Sequence, residues 1–394
     1  MKVLIADKFP EFYIQKLRDN DIEVIYEPKI GENDIHKYTT EVDTVVVRST
    51  KVNTDAIMNS TKLNLVVRAG AGYNNIDVKA ANKKGVYVAN CPGKNSIAVA
   101  ELAMGLIVAL DRKIPDNVID FNNGVWNKDK YSKAEGLAGK TLAIIGYGNI
   151  GKELAKRALS FGIKVYAKDV VPISDENVIV FENLEEILPK ADIISLHLPA
   201  NAQTKGMFND KLFSLLKPGT ILVNTSRAEI IDEDALVKAV TEKNIKVGVD
   251  VFVGEPEGKG GAVSSKLQGL PNVYVTHHIG ASTEQAQNAV AEETVRILLT
   301  FKNTGTVLHW VNSAKPAESP YQLTVKHYDK PGVLASVLDV LKQGDINIEE
   351  MQNIIFDDRL VACCSLVLKT PATDDMLKII EHNPNVLSVL HVKL

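Results

Sequence analysis

Apolar residues along this chain come in short runs separated by longer, helix-spaced segments. In the first ninety residues the runs are KVLIA (2–6), IEVIY (22–26), TVVVR (44–48), NLVVRAG (64–70) and VYVAN (86–90). Near-continuous Val, Ile and Leu suit parallel strands covered on both faces. With helical patterns between them, these runs predict a small α/β domain of βα units. A second series begins near residue 139: TLAIIG (141–146), KVYAKD (164–169), DIISLHLP (192–199), TILVNTS (220–226), KVGVDVF (246–252) and NVYVTHH (272–278). Six predicted strands, most separated by helical segments, describe a doubly wound sheet. An apolar helix near 96–111 lies between the two series. A long helical pattern, 282–303, follows the last strand with no strand after it in that sheet, so it can return to the first domain.

The segment NSAKPAESP (312–320) is rich in Pro, Ser, Ala and charge and reads as a linker. Beyond it, strand, helix, two strands, helix and strand follow in turn. That βαββαβ order predicts a small ferredoxin-like unit.

The strongest local motif is GYGNIG (146–151), placed after a predicted strand and opening a helix. Gly146 permits the turn, Gly148 lets a backbone approach a pyrophosphate, and Gly151 allows helix and strand to pack closely. The helix N-terminus presents unpaired N–H groups to phosphates. Asp169 ends the next strand, where its carboxylate can accept from ribose hydroxyls and repel a 2′-phosphate, so NAD is expected over NADP. Other strand ends carry Arg227, Asp250, Glu255 and the pair His277–His278. An arginine can clamp a carboxylate, and a histidine with a neighbouring carboxylate can pass a proton at neutral pH. If the strand NVYVTHH persists to its end, the two histidines point to opposite faces. Alternation alone does not choose between them.

Charge and composition narrow the picture further. Apolar residues are 45% and charged residues 24%, with a net charge of −4 and a pI of about 6.1. No concentrated basic face points to nucleic acid. The longest apolar stretch, 97–110, is too short to span a bilayer and contains Glu101, so no membrane partner is expected. Three cysteines, Cys91, Cys363 and Cys364, lack metal-ligand spacing and fit a reducing cytoplasm. No metal site is expected.

Taken together, GYGNIG, NTSRAEIIDE, VDVFVGEP and THHIGAST, in this order, resemble the signatures of D-isomer-specific 2-hydroxyacid dehydrogenases. RAGAGYNNID (68–77) and NCPGKNSIAVAEL (90–102) agree with them. The resemblance covers roughly residues 1–310, and DKPGVLASVLDVL (329–341) resembles an ACT regulatory domain. It implies a Rossmann-type NAD domain over 96–284 and a discontinuous flavodoxin-like substrate domain over 1–95 and 285–311. A linker over 312–320 and a ferredoxin-like ACT domain over 321–394 complete the chain.

The family's catalytic arginine, glutamate and histidine fall on Arg227, Glu255 and His278, because its histidine immediately precedes Ile-Gly-Ala. The implied mechanism has Arg227 hold the substrate carboxylate, His278 take the hydroxyl proton, and Glu255 orient His278. Asn149 and Ile150 match pyrophosphate-binding positions, while Thr225, Asp250, Gly280 and Ala281 match positions lining the nicotinamide half. Arg48 and Lys128 match phosphate-contacting positions in the members that oxidise 3-phosphoglycerate to phosphohydroxypyruvate. Ala71, Gly72 and Asn95 match the substrate loop and its neighbour. The chain departs from the family at Ala228, Asn74 and His277, where Gly, Asp and Pro are usual.

In the ACT unit, His327 and Asn347 match positions that bind L-serine as an effector, and Asp329 stands where an asparagine is expected. A homo-oligomer, dimer or tetramer, is implied. Alternatives are a glyoxylate or hydroxypyruvate reductase and, more remotely, an NAD-sensing corepressor.

Overall fold

The structure is a computed structural model that describes residues 1–31, 33–256, 260–314 and 321–394. The chain divides into two compact units, Met1–Asn312 and Ser313–Leu394. The linker proposed at 312–320 lies outside the described residues from 315 onward.

The first unit holds two parallel sheets. Strands β1 (Lys2–Ile5), β2 (Glu23–Tyr26), β3 (Thr44–Val47), β4 (Leu65–Arg68) and β5 (Tyr87–Asn90) form one, in the order β2-β1-β3-β4-β5. This is a flavodoxin-like order. Both faces are apolar and covered: Leu4, Val45 and Val66 belong to one core, Val3, Ile5 and Val67 to the other. The second core includes Val295, Ile297 and Leu298 of the long helix Glu284–Thr304. That helix therefore closes one face of the first sheet.

The second sheet contains β6 (Thr141–Ile145), β7 (Lys164–Lys168), β8 (Ile179–Val180), β9 (Ile193–Leu196), β10 (Ile221–Asn224), β11 (Lys246–Val249) and β12 (Val273–Val275). Its order is β12-β11-β10-β9-β6-β7-β8. The order reverses between β6 and β9, the switch point where doubly wound sheets bind ligands. The helix Ser96–Arg112 buries Leu106, Ile107 and Leu110 against this sheet.

Two details differ from the sequence reading. The two-residue strand β8 is a seventh strand, at the centre of the short apolar run VIVF (178–181) that the sequence reading did not assign. Strand β12 stops at Val275, before either histidine. Strand alternation therefore does not govern His277 and His278. His278 instead adopts a left-handed backbone conformation, φ +51°, which histidine tolerates better than most residues.

The second unit is the antiparallel sheet that βαββαβ predicted. Strands β13 (Tyr321–Tyr328), β14 (Ile348–Ile355), β15 (Val361–Leu368) and β16 (Val386–Lys393) lie in the order β14-β15-β13-β16. Helices Val333–Gln343 and Asp374–Glu381 supply Val337, Leu341 and Ile380 to a core with Leu323, Val325, Cys364 and Leu366. Cys364 is packed in this core, as its alternation along β15 requires. No helix among the described residues is long and apolar enough to cross a membrane.

Candidate active site

The glycine motif forms the turn its sequence implies. Gly146 has φ +98°, and a Cβ there would stand 2.2 Å from the carbonyl oxygen of His197 on the neighbouring strand end. A Cβ on Gly148 would meet nothing within 4 Å, so the space above the loop is open to a ligand. The helix Asn149–Ser160 starts there with no side chain capping it. The first N–H groups of a helix have no partner within it, and here Asn149, Ile150 and Gly151 present theirs at the positive end of the dipole. Thr225, after β10, buries a hydroxyl with no partner among the described residues, as does the side-chain oxygen of Asn95. Open space, free N–H groups and orphaned polar atoms fit a dinucleotide pyrophosphate and its nicotinamide end. Asp169 follows β7 and accepts three backbone N–H groups: Tyr147 at 2.6 Å, Val170 at 2.7 Å and Val171 at 3.1 Å.

The histidine and glutamate expected to serve as acid/base pair lie past β11 and β12. His278 Nδ1 stands 2.8 Å from Glu255 Oε2. An ionised carboxylate only accepts, so Nδ1 carries the hydrogen. The Glu255 hydrogen bond raises the His278 pKa above its ordinary value, against a smaller opposing effect of burial. Burial works against ionised Glu255. The hydrogen bonds from His278 and the Phe252 N–H, with the charges of His278 and Arg227, outweigh it and hold the carboxyl low. Among the described residues no hydrogen bond reaches His278 Nε2, so that nitrogen is available to a substrate.

Asp250, one residue past β11, has partners the sequence did not suggest. Its carboxylate accepts from Thr276 Oγ1 at 2.5 Å, the Ile279 N–H at 2.9 Å and the Gly280 N–H at 2.8 Å. Its carbonyl accepts the His278 N–H at 3.0 Å. Asp250 is 1% exposed. These bonds pin the left-handed turn that carries His278. Gly280 lies under this carboxylate, and Ala281 follows it.

Arg227 stands three residues past β10. Buried Asn224 shapes its turn, donating to the Arg227 carbonyl at 2.8 Å and accepting from the Ser226 N–H and hydroxyl. The guanidinium crosses to the first sheet. A Cβ on Gly72 would stand 2.0 Å from Arg227 Nη2, so a side chain there would displace the guanidinium from this position. Ala71 beside it accepts from Asn90 at 2.6 Å. Arg48 follows β3, in a turn whose three successive N–H groups, Arg48, Ser49 and Thr50, all donate to Asp7 Oδ2.

Sequence reading missed a third arginine. Arg68, the last residue of β4, reads in the sequence only as part of the loop motif RAGAGYNNID. Its Nε is buried without a partner. Burial, then the charges of Arg227 and Arg48, push its pKa down to about 10. The charges of three guanidinium groups therefore bear on one another, and among the described residues no ion pair to a side-chain carboxylate is formed by any of them. The signal was present in the sequence: Arg48 and Arg68 end neighbouring parallel strands, in register Val47 to Arg68.

Lys128 begins a four-residue helix on an exposed stretch. In the second unit, His327 is buried, with Nδ1 2.7 Å from the Tyr328 carbonyl, while Asp329 and Asn347 are exposed. His327 pairs with Ala362, but Asn347 precedes Ile348, which pairs with Leu368. Six residues of β15 separate the two levels, about 20 Å. Within one chain they cannot hold a single amino-acid ligand.

A dinucleotide loop, an arginine cluster and a carboxylate-paired histidine at one crevice define an NAD-dependent oxidoreductase acting on an anionic hydroxy or keto acid. Residues 104–280 match the model of the D-isomer specific 2-hydroxyacid dehydrogenase NAD binding domain. Hydroxypyruvate reductase of Thermotoga maritima is 40% identical over 306 residues, 77% of this chain and 98% of that protein. D-3-phosphoglycerate dehydrogenase of Bacillus subtilis is 35% identical over 344 residues, 86% of this chain and 64% of that longer protein. The solved NAD+-bound 3-phosphoglycerate dehydrogenase of Entamoeba histolytica superposes with a TM-score of 0.67 at 30% identity, covering 79% of this chain and 98% of that one. The chain belongs to the D-isomer specific 2-hydroxyacid dehydrogenase family, and its cofactor is NAD.

Proposed function

We propose that the chain oxidises 3-phospho-D-glycerate to 3-phosphohydroxypyruvate, the activity of a D-3-phosphoglycerate dehydrogenase and the first step of serine biosynthesis. The arginine cluster carries this reading. One guanidinium suffices to clamp a carboxylate. Keeping Arg48 and Arg68 beside Arg227 costs folding energy in the free protein, and a ligand with both carboxylate and phosphate offsets that cost. Arg227 holds the carboxylate and polarises the C2 oxygen. Arg48 and Arg68 take the phosphate. His278 Nε2 accepts the hydroxyl proton, and Glu255 stabilises the imidazolium that results. When bound, NAD would supply the acceptor for the hydride that leaves C2; Gly146, Gly148, Asn149, Ile150 and Gly151 would hold its pyrophosphate, and Asp169 its ribose. The βαββαβ order of the C-terminal unit supports reading it as a regulatory ACT domain.

The second reading is a hydroxypyruvate or glyoxylate reductase, favoured by the 40% identical relative named for the former activity. A panel of NADH-linked reductions with phosphohydroxypyruvate, hydroxypyruvate, glyoxylate and pyruvate separates the two. Phosphohydroxypyruvate is expected to give the highest kcat/KM. A higher value for any unphosphorylated acid replaces the first reading with the second.

A further inference from the structure

Tyr147 sits inside the glycine loop, yet the turn makes no demand on its side chain. It is nonetheless 4% exposed and packed into the core beneath β6 and β7. Its hydroxyl donates to Asp175 Oδ2 at 2.8 Å. Its backbone N–H donates to Asp169 Oδ2 at 2.6 Å. One residue therefore grips two carboxylates, at either end of the loop joining β7 to β8. Asp175 Oδ1 also accepts from the Asn177 N–H and side-chain amide, both at 3.0 Å. The Asn177 N–H and the Tyr147 hydroxyl hold the Asp175 carboxyl below its usual range.

The rest of that loop has the same character. Residues 169–177 read DVVPISDEN: three acids and no cation. Val170 is 95% exposed and Val171 66% exposed, where a 2′-phosphate would require cationic side chains. Asp169 already accepts three N–H groups, and a carboxylate offers about four acceptor positions. Its capacity for a ribose hydroxyl is thus limited to one bond. Its charge is fixed in direction, and so is that of Asp175.

We propose that Tyr147 is a positioning residue for cofactor choice: it clasps Asp169 and Asp175 together, and the pair of fixed carboxylates, not Asp169 alone, sets the preference for NAD over NADP. A 2′-phosphate carries close to two negative charges. Two immobile carboxylates exclude it more strongly than one that can turn away. The charge of Lys152, on the helix after the loop, reaches Asp175 and only partly offsets this field.

Tyr147→Phe removes one oxygen and keeps the packed ring. Asp175→Asn keeps the shape and removes the charge. For both variants, kcat/KM is measured with NADH and with NADPH against one keto acid, together with the thermal midpoint. The proposal expects the NADPH to NADH ratio to rise about tenfold in each. The NADH loss should appear as a higher KM, not a lower kcat. The double variant should be no more permissive than Asp175→Asn alone. A lower thermal midpoint with an unchanged ratio in both variants would show that Tyr147 serves packing only, and would overturn the proposal. If Tyr147→Phe fails to fold, Asp175→Asn decides the question by itself. Absence of any NADH-linked rate in the unaltered protein would instead fault the reading of the whole site.

Discussion

The strand ends of the two parallel sheets both carry charge, but they carry it in opposite ways. At the first sheet, Arg48 and Arg68 stand among like charges, and Arg227 joins them from the second sheet. At the second sheet, His278 is matched by Glu255, and Asp250 accepts from four groups of the loop around it. Unmatched positive charge is a place prepared for an anion that arrives from outside. Matched charge is a place prepared for a proton, whose position must be set before the substrate comes. In the proposed reaction the contrast divides the labour: the arginines hold the substrate, and the histidine and its partners do the chemistry.

Alterations on the two sides should then differ in kind as well as in size. The largest effect belongs to His278→Ala, which removes the acid/base. Steady-state turnover should fall by roughly 10²–10⁴-fold, while NADH binding, followed by fluorescence titration, stays near that of the unaltered protein. Equal losses in both would break the division. Asp250→Asn comes next. One of the three donors facing its carboxylate would then meet an amide N–H, leaving a buried group unpaired at a cost of about 1–3 kcal/mol. Both kcat and the thermal midpoint should fall, because His278 loses its turn.

Arg68→Met should have the reverse signature. It removes a desolvated charge from a repulsive cluster, so calorimetry should show a higher thermal midpoint. The kcat/KM for phosphohydroxypyruvate should drop about tenfold, the order expected for one charge-assisted hydrogen bond. That for hydroxypyruvate should change much less. A lower midpoint would mean that Arg68 is structural. The smallest effect belongs to His277→Pro, since His277 is exposed and lies outside the strand. Its kcat/KM should stay within about twofold.

Much of this arrangement was legible in the chain itself. Apolar runs marked the strands, and chemistry-bearing residues followed them directly because parallel strands deliver their C-terminal ends to one crevice. Arg227, Glu255 and the pair His277–His278 could be found in that way, and so could Gly146 and Asp169; the choice of His278 within the pair came from the resemblance. What escaped is non-local. The end of β12 depends on Asp250, which draws Thr276, Ile279 and Gly280 toward itself across about thirty residues of sequence and turns the chain out of the sheet. Arg68 looked like one letter of a loop motif until β3 and β4 were paired. The span between His327 and Asn347 became measurable only once the register of β15 was known. Periodicity reports which elements form, but not which side chains they bring face to face.

The division between a matched and an unmatched cluster is tested most directly by the pH dependence of NAD-linked oxidation in the unaltered protein and in Glu255→Gln. Oxidation needs neutral His278, so kcat/KM should rise with pH through the His278 pKa. Glu255 raises that pKa above its ordinary value of about 6.5. Glutamine keeps a hydrogen bond to Nδ1 but removes the charge. The midpoint of the profile should therefore move to lower pH in the variant, with a reduced rate at its plateau and little change in NAD affinity. A midpoint that stays where it was would show that Glu255 does not set the proton affinity of His278, and the account of the second cluster would be wrong.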